Sequence, residues 1–285
     1  MIKMKSNNKA ASILFDLLST FNMQGKNNMK TTSPNTPKEK IHTQHFGPQT
    51  QADKPVTIYC HGLGGNKKEA QYFHIQYGYQ NAFIQGACES FDFKDVSNPN
   101  SSCLGQEIDI AYLHEVCKKY PHVQLFGISR GASTILNYAG LYQPSNIETM
   151  VLESPFDDVQ TIIQRLTGAK SSDTSMYPNY DPQGIQPIKM VDKMPKNIPI
   201  LIICSKQDTL IPVSSSANVY KKLRQTGHDK AHLLVVDHGV HANILNGKDG
   251  ATVRNVIHAF FRAYNQPHNL QWANLGQDRF ATCQP

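Results

Sequence analysis

Long apolar runs are missing from this 285-residue sequence. Nothing in it approaches the roughly 18 consecutive apolar residues that a membrane-spanning helix needs. The six cysteines form no Cys-x-x-Cys pair, and Cys60 and Cys204 close apolar runs that read as buried strands. They are read as free core thiols, which favours a reducing, cytoplasmic compartment. Apolar residues make up 39% and charged residues 18%, with 18 Gly and 16 Pro. That composition excludes collagen-like, disulfide-scaffold and wholly disordered chains.

Excess charge of one sign is also scarce once it is located. The net charge is +6, but Lys3, Lys5, Lys9, Lys26, Lys30, Lys38 and Lys40, against Asp16 and Glu39, place +5 of it in residues 1–40. The rest of the chain is nearly neutral and shows no helix-turn-helix or aromatic RNA-binding motif, which argues against nucleic acid as a partner.

Residues 1–54 are rich in Asn, Lys, Thr, Gln and Pro and read as a flexible tail. Within them Ile13, Leu14, Leu17, Leu18 and Phe21 share one face of a short helix. Lysines precede this stretch as in a signal peptide, but Asp16 interrupts it and no small-residue cleavage site follows. A helix for docking to a membrane or partner, a helix packed on its own domain, and an unstructured tail remain open readings.

After Pro55 apolar runs alternate with helical patterns. The runs are Val56–Cys60, Ala82–Ala87, Val123–Ile128, Thr149–Leu152, Ile200–Cys204 and Leu233–Val236. Helices are expected over Gly105–Tyr120, Gly131–Tyr142, Val213–Thr226 and Gly250–Tyr264, the first with Ile108, Tyr112, Val116 and Tyr120 four residues apart. Alternation of this kind predicts a parallel sheet covered on both faces, with ligands beyond the carboxyl ends of its strands.

One such strand runs into Gly127-Ile128-Ser129-Arg130-Gly131 and then into a helical stretch. A serine on a tight strand-to-helix turn stands proud of the sheet at the positive end of a helix, and the flanking glycines avoid backbone clashes. The alternative is a serine that merely caps the helix.

With this turn the chain resembles the α/β-hydrolase superfamily. The resemblance extends to His61-Gly62-Leu63-Gly64-Gly65 after the first strand, and to Asp208 after the apolar run Ile200–Cys204. It implies backbone N–H groups of Leu63 and Arg130 as an oxyanion hole, His61 as structural, and Asp208 as the acid, with Glu153 as a second candidate. Of two candidate bases, His238 and His241, the family pattern favours His241, which lies just before the final helices. The order Ser129, Asp208, His241 is the one this fold uses. The pair His238-x-x-His241 lacks the further ligands of a zinc motif, and neither metal nor cofactor is expected.

The resemblance covers residues 55–264, with a cap insertion over about 154–199 and an extension over 265–285. It implies a three-layer α/β fold with a mainly parallel sheet of about six strands, any further strand being poorly formed. Phe91-Asp92-Phe93-Lys94 occupies the place of a family loop that contains an aspartate, without its usual following glycine. In the cap, Asp157-Asp158 opens a stretch whose Val159, Ile162, Ile163 and Leu166 share a helical face. The cap is short and polar, similar to those of small carboxylesterases and single-domain relatives of prolyl oligopeptidases. The side chain of Arg130 is expected to pair with a core carboxylate. The implied activity is cleavage of ester-like acyl bonds in a small-molecule substrate by a Ser-His-Asp triad. A peptidase or thioesterase of the same fold and a catalytically silent binding protein are the alternatives.

Overall fold

The computed structural model describes residues 37, 39–168 and 174–283. The apolar face from Ile13 to Phe21 lies outside them. Among the described residues seven strands form one sheet: β1 (Thr43–Phe46), β2 (Val56–Cys60), β3 (Cys88–Phe91), β4 (Val123–Ile128), β5 (Ile147–Glu153), β6 (Ile200–Ser205) and β7 (Ala231–Val236). Their spatial order is β1-β3-β2-β4-β5-β6-β7. Strands β2 to β7 are mutually parallel, while β1 runs antiparallel along β3. The helices are α1 (Glu107–Cys117), α2 (Arg130–Tyr142), α3 (Val159–Thr167), α4 (Pro187–Met190), α5 (Val213–Gln225), α6 (Gly250–Ala263) and α7 (Leu270–Ala281).

The central strands read as unbroken apolar runs because both of their faces are covered. Alternate side chains point to opposite faces. Ile58, Leu125, Leu152 and Ile202 enter one layer with Leu113 and Val116 of α1, Ile135 of α2 and Val219 of α5. Tyr59, Phe126, Val151 and Ile203 enter the other, with Val253, Ile257 and Phe260 of α6. The result is the expected three-layer α/β architecture.

The sheet differs from expectation at one edge. Thr43–Phe46, inside the stretch read as a tail, forms β1; Phe46 is buried opposite Cys88, and His45 Nδ1 lies 3.4 Å from Glu89 Oε2. The neighbouring strand is Cys88–Phe91 rather than Ala82–Ala87. The earlier run makes only an isolated bridge between His74 and Ile84, and its Phe83 and Ile84 pack beneath the sheet. Glu89 masks the true strand in the sequence because its carboxylate finds its partner on β1.

Tyr112 and Val116 of the expected stripe on α1 are buried and Tyr120 packs against the core, and only its first residue departs from expectation. Ile108 is 38% exposed, whereas Ile110, Leu113, Val116 and Cys117 are buried. Beyond Tyr264 the chain forms α7, whose Ala273 and Phe280 are buried, and past its end the Cys283 carbonyl accepts the Leu233 N–H of β7.

Candidate active site

The residues singled out in the sequence lie at the carboxyl ends of adjacent strands. Cys60 is followed by His61-Gly62-Leu63, Ile128 by Ser129, and Glu153 by Ser154, while β6 and β7 lead into the loops that carry Asp208 and His241. Side-by-side pairing of Cys60 with Gly127 and of Ile128 with Glu153 brings these loops to one rim.

Ser129 sits at φ 54°, ψ −116°, a conformation that costs an L-residue about 1–3 kcal/mol. Its surroundings hold it there. The Ser129 N–H donates to Glu153 O at 2.8 Å, and the Ser129 carbonyl accepts the Ser133 N–H at 3.0 Å. A Cβ at residue 131 would lie 2.0 Å from Cys60 O, and one at residue 127 would lie 2.7 Å from Ala132 N. Only glycine fits either place. Ser129 is the N-cap residue of α2, yet its hydroxyl caps nothing in the helix. It lies instead 3.0 Å from His241 Nε2.

The other imidazole nitrogen, His241 Nδ1, is 2.8 Å from Asp208 Oδ2. A carboxylate only accepts, so Nδ1 carries the hydrogen and Nε2 is free to accept from Ser129. Asp208 is fixed in turn: its Oδ1 accepts the N–H groups of Leu210 and Ile211, and its Oδ2 accepts the Ser154 hydroxyl at 2.9 Å. His238 is turned away, with Nδ1 3.2 Å from Asp249 Oδ2 and its backbone N–H on the same oxygen. Glu153 does not meet an imidazole; its Oε1 accepts the Ile244 N–H at 3.3 Å. The sequence reading did not single out Ser154, although its place immediately after a core strand was a usable signal.

The glycine-rich loop runs beside Ser129, and a Cβ at Gly62 would lie 3.7 Å from Ser129 Cβ. The backbone N–H groups of Leu63 and Arg130 make no backbone hydrogen bond among the described residues. His61 is fully buried; its Nδ1 donates to Gly62 O at 2.8 Å and its Nε2 accepts the Phe93 N–H at 3.3 Å. Burial pushes its pKa down to about 4, which keeps it neutral. Asp92 anchors the same loop through the Lys67 N–H at 2.8 Å and an ion pair to the Lys67 ammonium.

The Arg130 guanidinium is committed to the core. Its Nε and Nη2 hold Asp109 at 2.7 and 2.6 Å, and its Nη1 and Nη2 hold Asp95 at 2.8 and 2.5 Å. The ring of Phe93 lies beneath it, 4.3 Å from the guanidinium carbon. These contacts leave the side chain no role in holding an anionic substrate. They fix the backbone at the start of α2.

The cap closes one side of the rim. Asp158 caps α3 by accepting the Gln160 and Thr161 N–H groups, and Asp157 ties the segment to Ser215 and Asn218 of α5. Buried Gln106 donates to Asp181 O and Ile185 O and accepts the Asp181 N–H, pinning the far part of the cap. Val159, Ile162 and Ile163 then pack with Phe156, Tyr177 and Ile211, and Leu63 and Leu210 flank the cluster. An apolar wall therefore joins the glycine-rich loop to the Asp208 loop. A separate cavity of about 670 Å³, lined by Thr57, Gln124, Glu148 and Phe261 among others, opens at the amino ends of the strands, away from this rim.

The strand order, the strained serine turn and the loops at the strand ends define an α/β-hydrolase fold. Solved structures similar to the chain include the acylaminoacyl peptidase of Pyrococcus horikoshii, at TM-score 0.59 and 15% identity over 83% of this chain and 41% of that one. A lipase-esterase related protein from Clostridium acetobutylicum ATCC 824 superimposes at TM-score 0.55 and 18% identity, covering 77% of this chain and 99% of that one. Among curated proteins, the uncharacterized protein YqkD of Bacillus subtilis (strain 168) is 28% identical over 155 residues, 50% of this chain and 48% of the relative. The match thus spans about half the length of that relative. The prolyl oligopeptidase family matches over residues 119–267, more than half of the sequence, and the chain belongs to this family. No helix among the described residues is long and apolar enough to cross a membrane.

Proposed function

We propose that the chain is a serine hydrolase that cleaves ester-like acyl bonds through an acyl-enzyme. The observation that carries this reading is the continuous line from Ser129 Oγ to His241 Nε2 at 3.0 Å and from His241 Nδ1 to Asp208 Oδ2 at 2.8 Å. Serine is too weak an acid to attack unaided. As Ser129 Oγ bonds to the acyl carbon, its proton passes to His241 Nε2, and Asp208 stabilises the imidazolium. The carbonyl oxygen becomes an oxyanion that the Leu63 and Arg130 N–H groups receive; such donors contribute about 3 kcal/mol each. Collapse breaks the bond to the leaving alkoxide, which takes the proton from His241. Water then gives a proton to His241 and attacks the acyl carbon, Ser129 leaves with that proton, and the free acid departs.

The apolar wall of Leu63, Phe156 and Leu210 supports a substrate with an apolar group beside the acyl carbon. The engaged guanidinium of Arg130 argues against selection for an anionic one. Family membership favours a second reading, cleavage of peptide bonds, and the likeness to an acylaminoacyl peptidase adds to it. The six buried, free cysteines suit a reducing compartment.

Hydrolysis of a short p-nitrophenyl ester and of a matched anilide tests both readings. Ester turnover that vanishes in Ser129→Ala and His241→Ala but persists in His238→Ala is the expected result. Anilide cleaved faster than ester would move the enzyme to the peptidases. Loss of turnover in His238→Ala alone would overturn the assignment of the base.

A further inference from the structure

Two consecutive residues at the end of β5, Glu153 and Ser154, touch Ser129, Asp208 and the loop that carries His241. The Glu153 carbonyl accepts the Ser129 N–H at 2.8 Å, and the Glu153 carboxyl accepts the N–H of Ile244, three residues beyond His241, at 3.3 Å. The Ser154 hydroxyl donates to Asp208 Oδ2 at 2.9 Å, the oxygen that also meets His241 Nδ1. Ser154 itself is held at φ 49°, its N–H on Ile203 O at 2.8 Å, so the strained turn is stitched to β6.

Resting on the hydrolase reading above, we propose that Glu153 is a positioning residue whose carboxyl holds the His241 loop and whose ionisation tunes the basicity of His241 through Asp208. Glu153 is 1% exposed. From β2 it is faced by Tyr59, whose hydroxyl donates to Glu69 at 3.1 Å; from the loop after β6, by Asp208; and from the loop after β7, by the Ile244 N–H, with His241 beyond Asp208. Its paired neighbours Ile128 and Ile203 are apolar. Burial pushes its pKa up to about 7; the Ile244 N–H pulls it back, and the charge on Asp208 adds to the rise. The carboxyl consequently changes charge in the range where a histidine base also titrates. Once ionised it adds a second negative charge behind His241 and favours the protonated imidazolium. Protonated or ionised, Oε1 still accepts the Ile244 N–H, so tuning and holding are separable by substitution.

The test compares wild type, Glu153→Gln and Glu153→Ala by the rate of fluorophosphonate labelling from pH 5 to 9, with Ser129→Ala as the blank. Glutamine keeps the acceptor and removes the charge. The labelling rate should fall at least about tenfold in Glu153→Ala and recover most of that loss in Glu153→Gln. The midpoint of the rising limb in Glu153→Gln should move to lower pH by at least about 0.3 unit. A midpoint that stays with wild type or moves upward overturns the tuning, and an alanine variant as fast as glutamine overturns the holding. Both results leave the hydrolase reading intact. If wild type labels no faster than Ser129→Ala, the hydrolase reading falls, and this proposal with it.

Discussion

Gly131 presses against Cys60: a Cβ added at residue 131 would stand 2.0 Å from Cys60 O and 2.6 Å from its carbonyl carbon. Both are backbone atoms of the strand beside the serine turn, so no rotamer change relieves the clash. Gly131→Ala should therefore cost at least about 3 kcal/mol, read as a lowered urea midpoint. Gly64 supplies the control, since it has φ +76° and open space around its Cβ position. Gly64→Ala carries only the left-handed strain of about 1–2 kcal/mol. Equal losses at the two sites would contradict the close approach of α2 to β2.

Arg130 satisfies two carboxylates that are 5% and 1% exposed at Asp95 and Asp109. A lysine in its place cannot grip both in forks, and breaking such a buried set costs about 3–5 kcal/mol. Arg130→Lys should lower the unfolding midpoint strongly, whereas Lys206→Met, which breaks an exposed pair with Asp237, should barely move it. Comparable losses would show that the Arg130 cluster does not support the fold.

Burial lowers the pKa of all five buried histidines, and the four lowered furthest make the fold sensitive to acid. Burial lowers His61, His228 and His232 from 6.5 to about 4, and His258 to about 3. Between those values and 6.5 the unfolded chain binds protons that the folded chain refuses, so stability falls as pH falls. Each contributes up to about 3 kcal/mol, fully present above pH 6.5 and lost as pH drops through the folded values. Glu153, raised from 4.5 to about 7, acts oppositely: its contribution is present below 4.5 and lost as pH rises through 7. The histidine terms outweigh the two raised carboxyls, Glu153 and Glu69, so urea midpoints should drop steadily from pH 6.5 to 4. A flat profile over that range would mean the histidines are not buried as neutral rings.

Much of this arrangement could be read from the sequence because local signals agree with the fold. The runs at Val56, Val123 and Ile200 are buried on both faces and announce themselves without a partner strand. Ser129, Asp208 and His241 each follow such a strand, which is why their meeting point could be anticipated. The edge could not. Phe46 and Glu89 make sense only once β1 and β3 lie side by side, so their pattern is invisible along the chain. Ala82–Ala87 has the composition of a strand, but its Phe83 and Ile84 are used as packing. Without the family pattern, that His241 and not His238 reaches Ser129 was equally invisible, because Asp249 takes up His238 from the start of α6. Ser154 offered only its place after a core strand; its importance comes from a φ of 49° and a contact with a residue 54 positions away.

Mass-spectrometric mapping of a fluorophosphonate adduct goes straight to the proposed activation of Ser129 by His241. Wild-type protein should carry one adduct, on the peptide that contains Ser129. The adduct should be absent in Ser129→Ala and formed at least about a thousandfold more slowly in His241→Ala. An unmodified Ser129 in folded wild-type protein, or labelling of His241→Ala at the wild-type rate, would mean that the hydroxyl and imidazole 3.0 Å apart do not act together.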